Sequence, residues 1–241
     1  MTDLKHQAAQ KALDFVHSGM YLGLGSGSTT AYFIELLAQR LKDGLLQDVR
    51  GVPTSEETAI QARRLGIPLA RLSELDAARS PHLLDLAVDG ADEVDQQLNL
   101  IKGLGKALLR EKLVEIHARL LVIIVDESKV SARLGSRSPL PVEIVTFEAE
   151  TTVRWLNSLG CRAELWRDER GQPYLTDNGN YLVRCWFEDQ AGKPVGIRDV
   201  QVLACQLAER PGIVEHGLFL GMAGRVIVAG QEGIRILERE P

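Results

Sequence analysis

Short apolar runs alternate with stretches of helical period through the first half of the chain. Residues 20–24 read as a strand, and the residues after them place Phe33, Ile34, Leu37 and Leu41 on one helical face. Residues 49–52 read as a second short strand. Thr54 and Glu57 then have the spacing of a capping box for a helix reaching Leu65. Two further strands are predicted over 83–88 and 120–125, ending at Asp89 and Asp126, with a helix over 106–117 between them. Strand–helix alternation of this kind predicts a parallel sheet covered by helices on both faces.

The pattern changes near Pro139-Leu140-Pro141. Strands are expected over 142–147, 163–166, 181–187 and 213–220, with helices over 150–159 and 200–207. The Asn178-Gly179 pair marks a hairpin turn before the third of these strands. A β-α-β-β-α-β order is that of a ferredoxin-like α+β unit. The tail, 225–229 and 234–237, reads as two strands returning to the first sheet. The expected class is α/β, a Rossmann-like parallel-sheet domain (1–135 plus 221–241) with a smaller ferredoxin-like α+β domain (136–220) suited to assembly.

Composition narrows the function classes. With 241 residues, 45% of them hydrophobic, the chain can bury a sizeable core. The net charge of −5 comes from interspersed acids and bases, without the basic stripe that nucleic acid requires. No apolar run approaches a membrane span, and residues 1–5 lack a signal-peptide pattern. The expectation is a cytoplasmic protein with no nucleic-acid or membrane partner. Cys161, Cys185 and Cys205 read as reduced, isolated thiols, and the five scattered histidines show no metal-ligand spacing. Catalysis would then rest on carboxylates, lysines and backbone amides.

Three loops at predicted strand ends carry that chemistry. Gly23-Leu24-Gly25-Ser26-Gly27-Ser28-Thr29-Thr30 can present amides and hydroxyls to an anion at a helix N-terminus, or be only a tight turn capped by Ser28. It matches neither a Walker loop nor a dinucleotide fingerprint. Asp89-Gly90-Ala91-Asp92-Glu93-Val94-Asp95 reads as a reactive sheet mouth, a cation site, or a turn with a solvated acidic patch. Lys102-Gly103-Leu104-Gly105 opens the third, before a helix whose apparent apolar stripe is Leu109, Leu113, Ile116 and Leu120. Glu111 lies nearly opposite that stripe. Its expected surroundings are solvent or a cleft, and a core position is excluded.

Together these segments resemble the ribose-5-phosphate isomerase A family. The resemblance rests on GLGSGST (23–29), LDLAVDGADEVD (84–95), LNLIKGLG (98–105), REK (110–112), DESK (126–129), LPVEIV (140–145), TDNGN (176–180) and GIVEHGLF (212–219). It implies interconversion of D-ribose 5-phosphate and D-ribulose 5-phosphate without metal or cofactor, by a homodimer or homotetramer. It further implies Glu111 as the catalytic base, with Asp89, Asp92 and Lys102 as polar partners. Substrate-binding positions would be Ser26, Gly27, Ser28, Thr29, the segment Asp89, Gly90, Ala91 and Asp92, then Lys102, Gly103, Leu104, Gly105 and Lys129, with Lys5 as a looser match near the phosphate.

The chain departs from the family pattern at Leu104, commonly a glycine, at Lys106, an added charge, and at Arg184, often an acid. Ser26 stands for a threonine seen in some members. Alternative functions are a sugar-phosphate-sensing binding domain and an amino-sugar-phosphate deaminase of related fold.

Overall fold

The structure is a computed structural model that describes residues 3–79 and 81–239. Met1, Thr2, Ser80, Glu240 and Pro241 lie outside the described residues, so the N-terminal reading extends to the structure only from Asp3 onward. The elements begin with α1 (Leu4–Ala12), β1 (Tyr21–Leu24), α2 (Ser28–Lys42), β2 (Arg50–Pro53), α3 (Glu56–Arg64) and β3 (Leu86–Asp89). Next come β4 (Glu93–Val94), β5 (Leu100–Ile101), α4 (Leu108–Glu115) and β6 (Leu121–Asp126). Then follow β7 (Leu140–Ile144), α5 (Ala149–Ser158), β8 (Arg162–Leu165), β9 (Tyr181–Trp186) and α6 (Val200–Ala208). The last strands are β10 (Ile213–His216), β11 (Leu218–Phe219), β12 (Arg225–Gly230) and β13 (Gly233–Glu238).

Two compact units divide these elements. The first comprises Met1–Ala91, Arg110–Ser128 and Met222–Pro241, and the second Asp92–Leu109 and Lys129–Gly221. Unit 1 is a six-stranded Rossmann-like sheet in the order β13-β12-β6-β3-β1-β2. Every pairing is parallel except that of β12 with β13. Continuous apolar runs such as Leu121–Asp126 suit strands buried on both faces. Leu22, Leu24, Leu86, Val88, Val122 and Ile124 meet Phe33, Ile34 and Leu37 of α2 and the alanines of α1 in one core. On the other face Val114 of α4 joins Val52, Ala70 and Leu84. A Cβ at Gly23 would lie 2.8 Å from Ala87 Cβ and 3.2 Å from Val114 Cγ1, so glycine here lets α4 approach the sheet.

Two local expectations are corrected in this unit. The cap of α3 is Ser55, whose hydroxyl accepts from Thr58 N, because Thr54 is drawn into the site described below. On α4 the apparent apolar stripe is outward: Leu113 and Ile116 are 52% and 56% exposed. The buried residues are Leu108, Glu111, Val114 and Glu115, with Glu111 only 3% exposed. The exclusion of a core glutamate therefore fails. Helical periodicity finds the face of contrasting polarity, and here the inward face holds two carboxylates.

Unit 2 contains a four-stranded antiparallel sheet in the order β10-β7-β9-β8 with α5 and α6, the ferredoxin-like arrangement. Its core joins Val142, Ile144, Leu156, Val183, Leu203 and Leu207. The single strand expected over 213–220 is divided at Gly217. β10 pairs with β7, whereas β11 pairs with β5 in a separate three-stranded sheet, β11-β5-β4. Cys161 Sγ donates to Leu156 O at 3.1 Å, and its interaction with the neighbouring Cys185 thiol pushes Cys185 upward in pKa and Cys161 downward.

The TDNGN turn has a structural explanation. Glu143 of β7 is fully buried and accepts from Thr176 Oγ1 (3.0 Å), Asn178 Nδ2 (3.3 Å) and Asn180 Nδ2 (2.9 Å). Glu143→Ala is expected to lower stability by about 1–3 kcal/mol, because the buried Thr176 hydroxyl and two asparagine amides lose their shared acceptor. Glu143→Gln, keeping one acceptor oxygen, should lose less. Urea unfolding of both variants checks this order; equal stability of Glu143→Ala and the parent would refute it.

Candidate active site

Unit 1 gathers its chemistry beyond the carboxyl ends of β1, β2 and β3, where an open α/β sheet leaves room for ligands. Asp89 ends β3 and is 1% exposed. Its Oδ1 accepts from Ser26 N (3.0 Å), Gly90 N (2.6 Å) and Thr30 Oγ1 (3.2 Å). A Cβ at Gly25 would fall 2.1 Å from Asp89 Cγ, so that glycine is where loop 23–30 closes over the carboxylate. The Ser26 hydroxyl turns into a cluster with Thr54 (2.8 Å), Ser55 (2.8 Å) and Thr58 (3.2 Å). Thr58 in turn donates to Gly25 O at 2.9 Å. Sequence reasoning missed this cluster; its signal was the Thr54-Ser55 pair at the end of a predicted strand.

Gly27 precedes α2 with φ 96°, a left-handed backbone suited to glycine, and Ser28 and Thr29 open the helix. The helix runs 15 residues with no acid in its first turn, so the positive end of its dipole is not offset there. Lys5 Nζ donates to Ser28 Oγ at 2.9 Å. Asp3 caps α1 by accepting from Lys5 N and also bonds Tyr32 on α2, which lowers the Asp3 pKa and raises that of Tyr32. Asp3, Lys5, Ser28, Ala31, Tyr32 and Glu35 line an open cleft of about 440 Å³. Glu111 stands in the first turn of α4, and its neighbour Arg110 pairs with Glu56 of α3 at 2.8 Å.

The segment Asp89 to Asp92 passes from unit 1 into unit 2. Asp92 Oδ2 accepts from Leu104 N at 2.8 Å, and Asp92 N donates to Ile101 O. Lys102, 2% exposed, donates its backbone N–H to Gly217 O at 2.9 Å, and its Nζ lies 5.4 Å from the Phe219 ring centroid. Gly103 has φ 108°, and a Cβ there would meet Leu108 Cβ at 2.7 Å. Leu104 is half-buried, Gly105 exposed, and Lys129 half-buried at the end of a 3₁₀ turn, Glu127–Lys129.

The other acids of the DGADEVD loop hold backbone. Glu93 is fully buried and accepts from Gly135 N, Ser136 N, Ser136 Oγ and Ser138 N at 3.0–3.3 Å. Asp95 accepts from Gln97 N and Asn99 N. Among the described residues, no three His, Cys, Asp or Glu side chains converge as a metal-binding group. Nor, among them, is any helix long and apolar enough to cross a membrane.

Residues 50–233 match the family model of ribose 5-phosphate isomerase A (phosphoriboisomerase A). This chain belongs to the ribose 5-phosphate isomerase A family. It is 52% identical over 238 residues to ribose-5-phosphate isomerase A of Synechococcus sp. (strain JA-3-3Ab), covering 98% of this chain and 97% of that protein. The ribose 5-phosphate isomerase structure from Plasmodium falciparum superposes with TM-score 0.90 at 38% identity, covering all of both chains. A D-ribose-5-phosphate isomerase in complex with phospho-erythronic acid superposes with TM-score 0.89 at 39% identity, covering 98% of each chain. Family membership extends to both units, since the shared length includes the ferredoxin-like sheet as well as the Rossmann-like one.

Proposed function

We propose that this chain interconverts D-ribose 5-phosphate and D-ribulose 5-phosphate by moving one proton between C2 and C1, with Glu111 as the base. The observation that carries the mechanism is the burial of Glu111 on the inward face of α4, against the helix's own apolar pattern. A carboxylate removed from bulk water can take the C2 proton and return it to C1 of an enediolate. Lys102 supplies a cation, with backbone amides, for the oxyanion that develops as the proton leaves.

Asp89 and Asp92 exchange hydroxyl protons and assist opening of the furanose ring, and each also orders a loop through the amides it accepts from. The phosphate is held at loop 26–29, where the N-terminus of α2, the Ser28 and Thr29 hydroxyls and Lys5 favour an anion. Gly90, Ala91, Gly103, Leu104 and Gly105 bring backbone to the sugar, and Lys129 adds a further positive contact. Phospho-erythronic acid, bound by a structural relative, joins a carboxylate to a phosphorylated sugar chain and so resembles the anionic enediolate in charge.

Proton transfer between adjacent carbons needs no redox group and none is assigned. The active form is a cytoplasmic homodimer or homotetramer. Incubating the protein with ribose 5-phosphate is expected to give ribulose 5-phosphate at a rate unchanged by chelator, with no ammonia released from an amino hexose phosphate. Ammonia release in preference to isomerisation would point to the deaminase reaction instead.

A further inference from the structure

Lys106 follows the loop 102–105 and is one of four non-glycine residues with positive φ among the described residues, at 71°. Lysine adopts that backbone rarely, so something must hold it there. The loop turns tightly, with Lys106 N donating to Gly103 O (2.9 Å) and Leu104 N to Asp92 Oδ2 (2.8 Å). Beyond the turn the lysine side chain carries its ammonium to 4.0 Å from the Tyr174 ring centroid and 5.3 Å from that of Trp166. Both distances are within cation–π range.

The two rings belong to one hairpin between β8 and β9. Tyr174 N donates to Trp166 O at 2.8 Å, Trp166 N to Leu182 O at 2.7 Å, and Asp168 N to Gln172 O at 2.8 Å. Arg184 of β9 brings its guanidinium carbon to 5.1 Å from the same Trp166 ring. Two departures from the family pattern, Lys106 and Arg184, thus meet on one indole. All of these residues lie in unit 2. A lysine that merely solvated the loop would gain nothing from a left-handed backbone, whereas one seated on two rings is tied at both ends.

We propose that Tyr174 and Trp166 form an aromatic seat for Lys106 that fixes the loop 102–105 for substrate, making all three positioning residues. The proposal rests on the assignment of that loop to substrate binding. The clasp at Lys106 holds the turn from one end while Asp92 holds it from the middle.

The test compares hydrogen exchange of peptides spanning 102–107, measured without substrate, with steady-state kinetics on ribose 5-phosphate. Lys106→Met and Tyr174→Leu are expected to speed exchange of the loop and raise KM by about 2–30-fold, the range a cation–π contact carries, with kcat less affected. Lys106→Arg, which keeps a cation on the rings, should restore both. The double variant Lys106→Met/Tyr174→Leu should be no worse than either single one, because the same contact is removed. Unchanged exchange or unchanged KM in Lys106→Met and Tyr174→Leu overturns the proposal. Failure of the functional reading would look different: the parent chain itself would not turn over ribose 5-phosphate, and the exchange comparison would still report on the seat.

Discussion

Glu111→Gln is expected to lower kcat for ribose 5-phosphate by roughly 10²–10⁴-fold, the usual worth of a positioned general base. Glutamine matches glutamate in size and keeps a hydrogen-bonding oxygen, so α4 should pack as before around Leu108 and Val114. It cannot accept a proton at neutral pH. The loss should therefore fall on kcat, with KM little changed, because the proposed phosphate site is loop 26–29 with Lys5 rather than this side chain. The contrary result would be a KM rise at constant kcat, which would make Glu111 a binding group.

Gly217→Ala should be the most damaging change remote from the reacting atoms. Gly217 carries the chain from β10 to β11 and exchanges hydrogen bonds with two neighbours: its N–H donates to Pro141 O (2.8 Å) and its carbonyl accepts from Lys102 N (2.9 Å). A Cβ there would lie 2.2 Å from Lys102 O and 2.9 Å from Pro141 Cδ. Those obstacles are backbone and a ring, neither of which can rotate away. The segment bearing Lys102, just past β5, must move, and a shift near 1 Å in a positioned group can cost about 10²-fold. A stability loss of about 1–3 kcal/mol should accompany it, as for other overpacked sites. Parallel measurement of kcat/KM and the urea midpoint checks both; a fully active, fully stable variant would contradict the packing described here.

The elements that the chain's pattern announced most plainly are those whose surroundings are uniform. β1, β3, β6 and β12 are buried on both faces, so their apolar runs identify them without any knowledge of neighbours. α4 was misread because the rule behind helical periodicity assumes that the inner face is greasy. Leu113 and Ile116 look outward, while Glu111 and Glu115 look in. β4 and β5 have two residues each, too few to show a period of two. The break at Gly217 was invisible for another reason. Apolar residues lie on both sides of it, and only the approach of Lys102, distant in sequence, forces the strand to change sheets.

The same distinction applies to the candidate site. Gly23 to Thr30 was legible as a βα turn from its glycines and hydroxyls, but its anchoring on Asp89 depends on a carboxylate 63 residues away from Ser26. Four acids between Asp89 and Asp95 looked equivalent in sequence. Glu93 and Asp95 proved to be ligands for backbone amides, and Glu93's partners lie 42 to 45 residues further on. Acids proposed to meet the sugar and acids that only hold a loop thus share one signature in the sequence. The seat of Lys106 is a similar case, since nothing local in the chain pairs it with Tyr174.

Exchange with deuterated solvent tests most directly whether Glu111 moves the proton between C2 and C1. With ribose 5-phosphate in deuterium oxide, the parent chain should form ribulose 5-phosphate and wash solvent deuterium into the C2 position of the returning aldose. Glu111→Gln should lose both isomerisation and C2 exchange while still binding the phosphate ester. Exchange at C2 in Glu111→Gln at the parent's rate would show that a group other than Glu111 carries the proton.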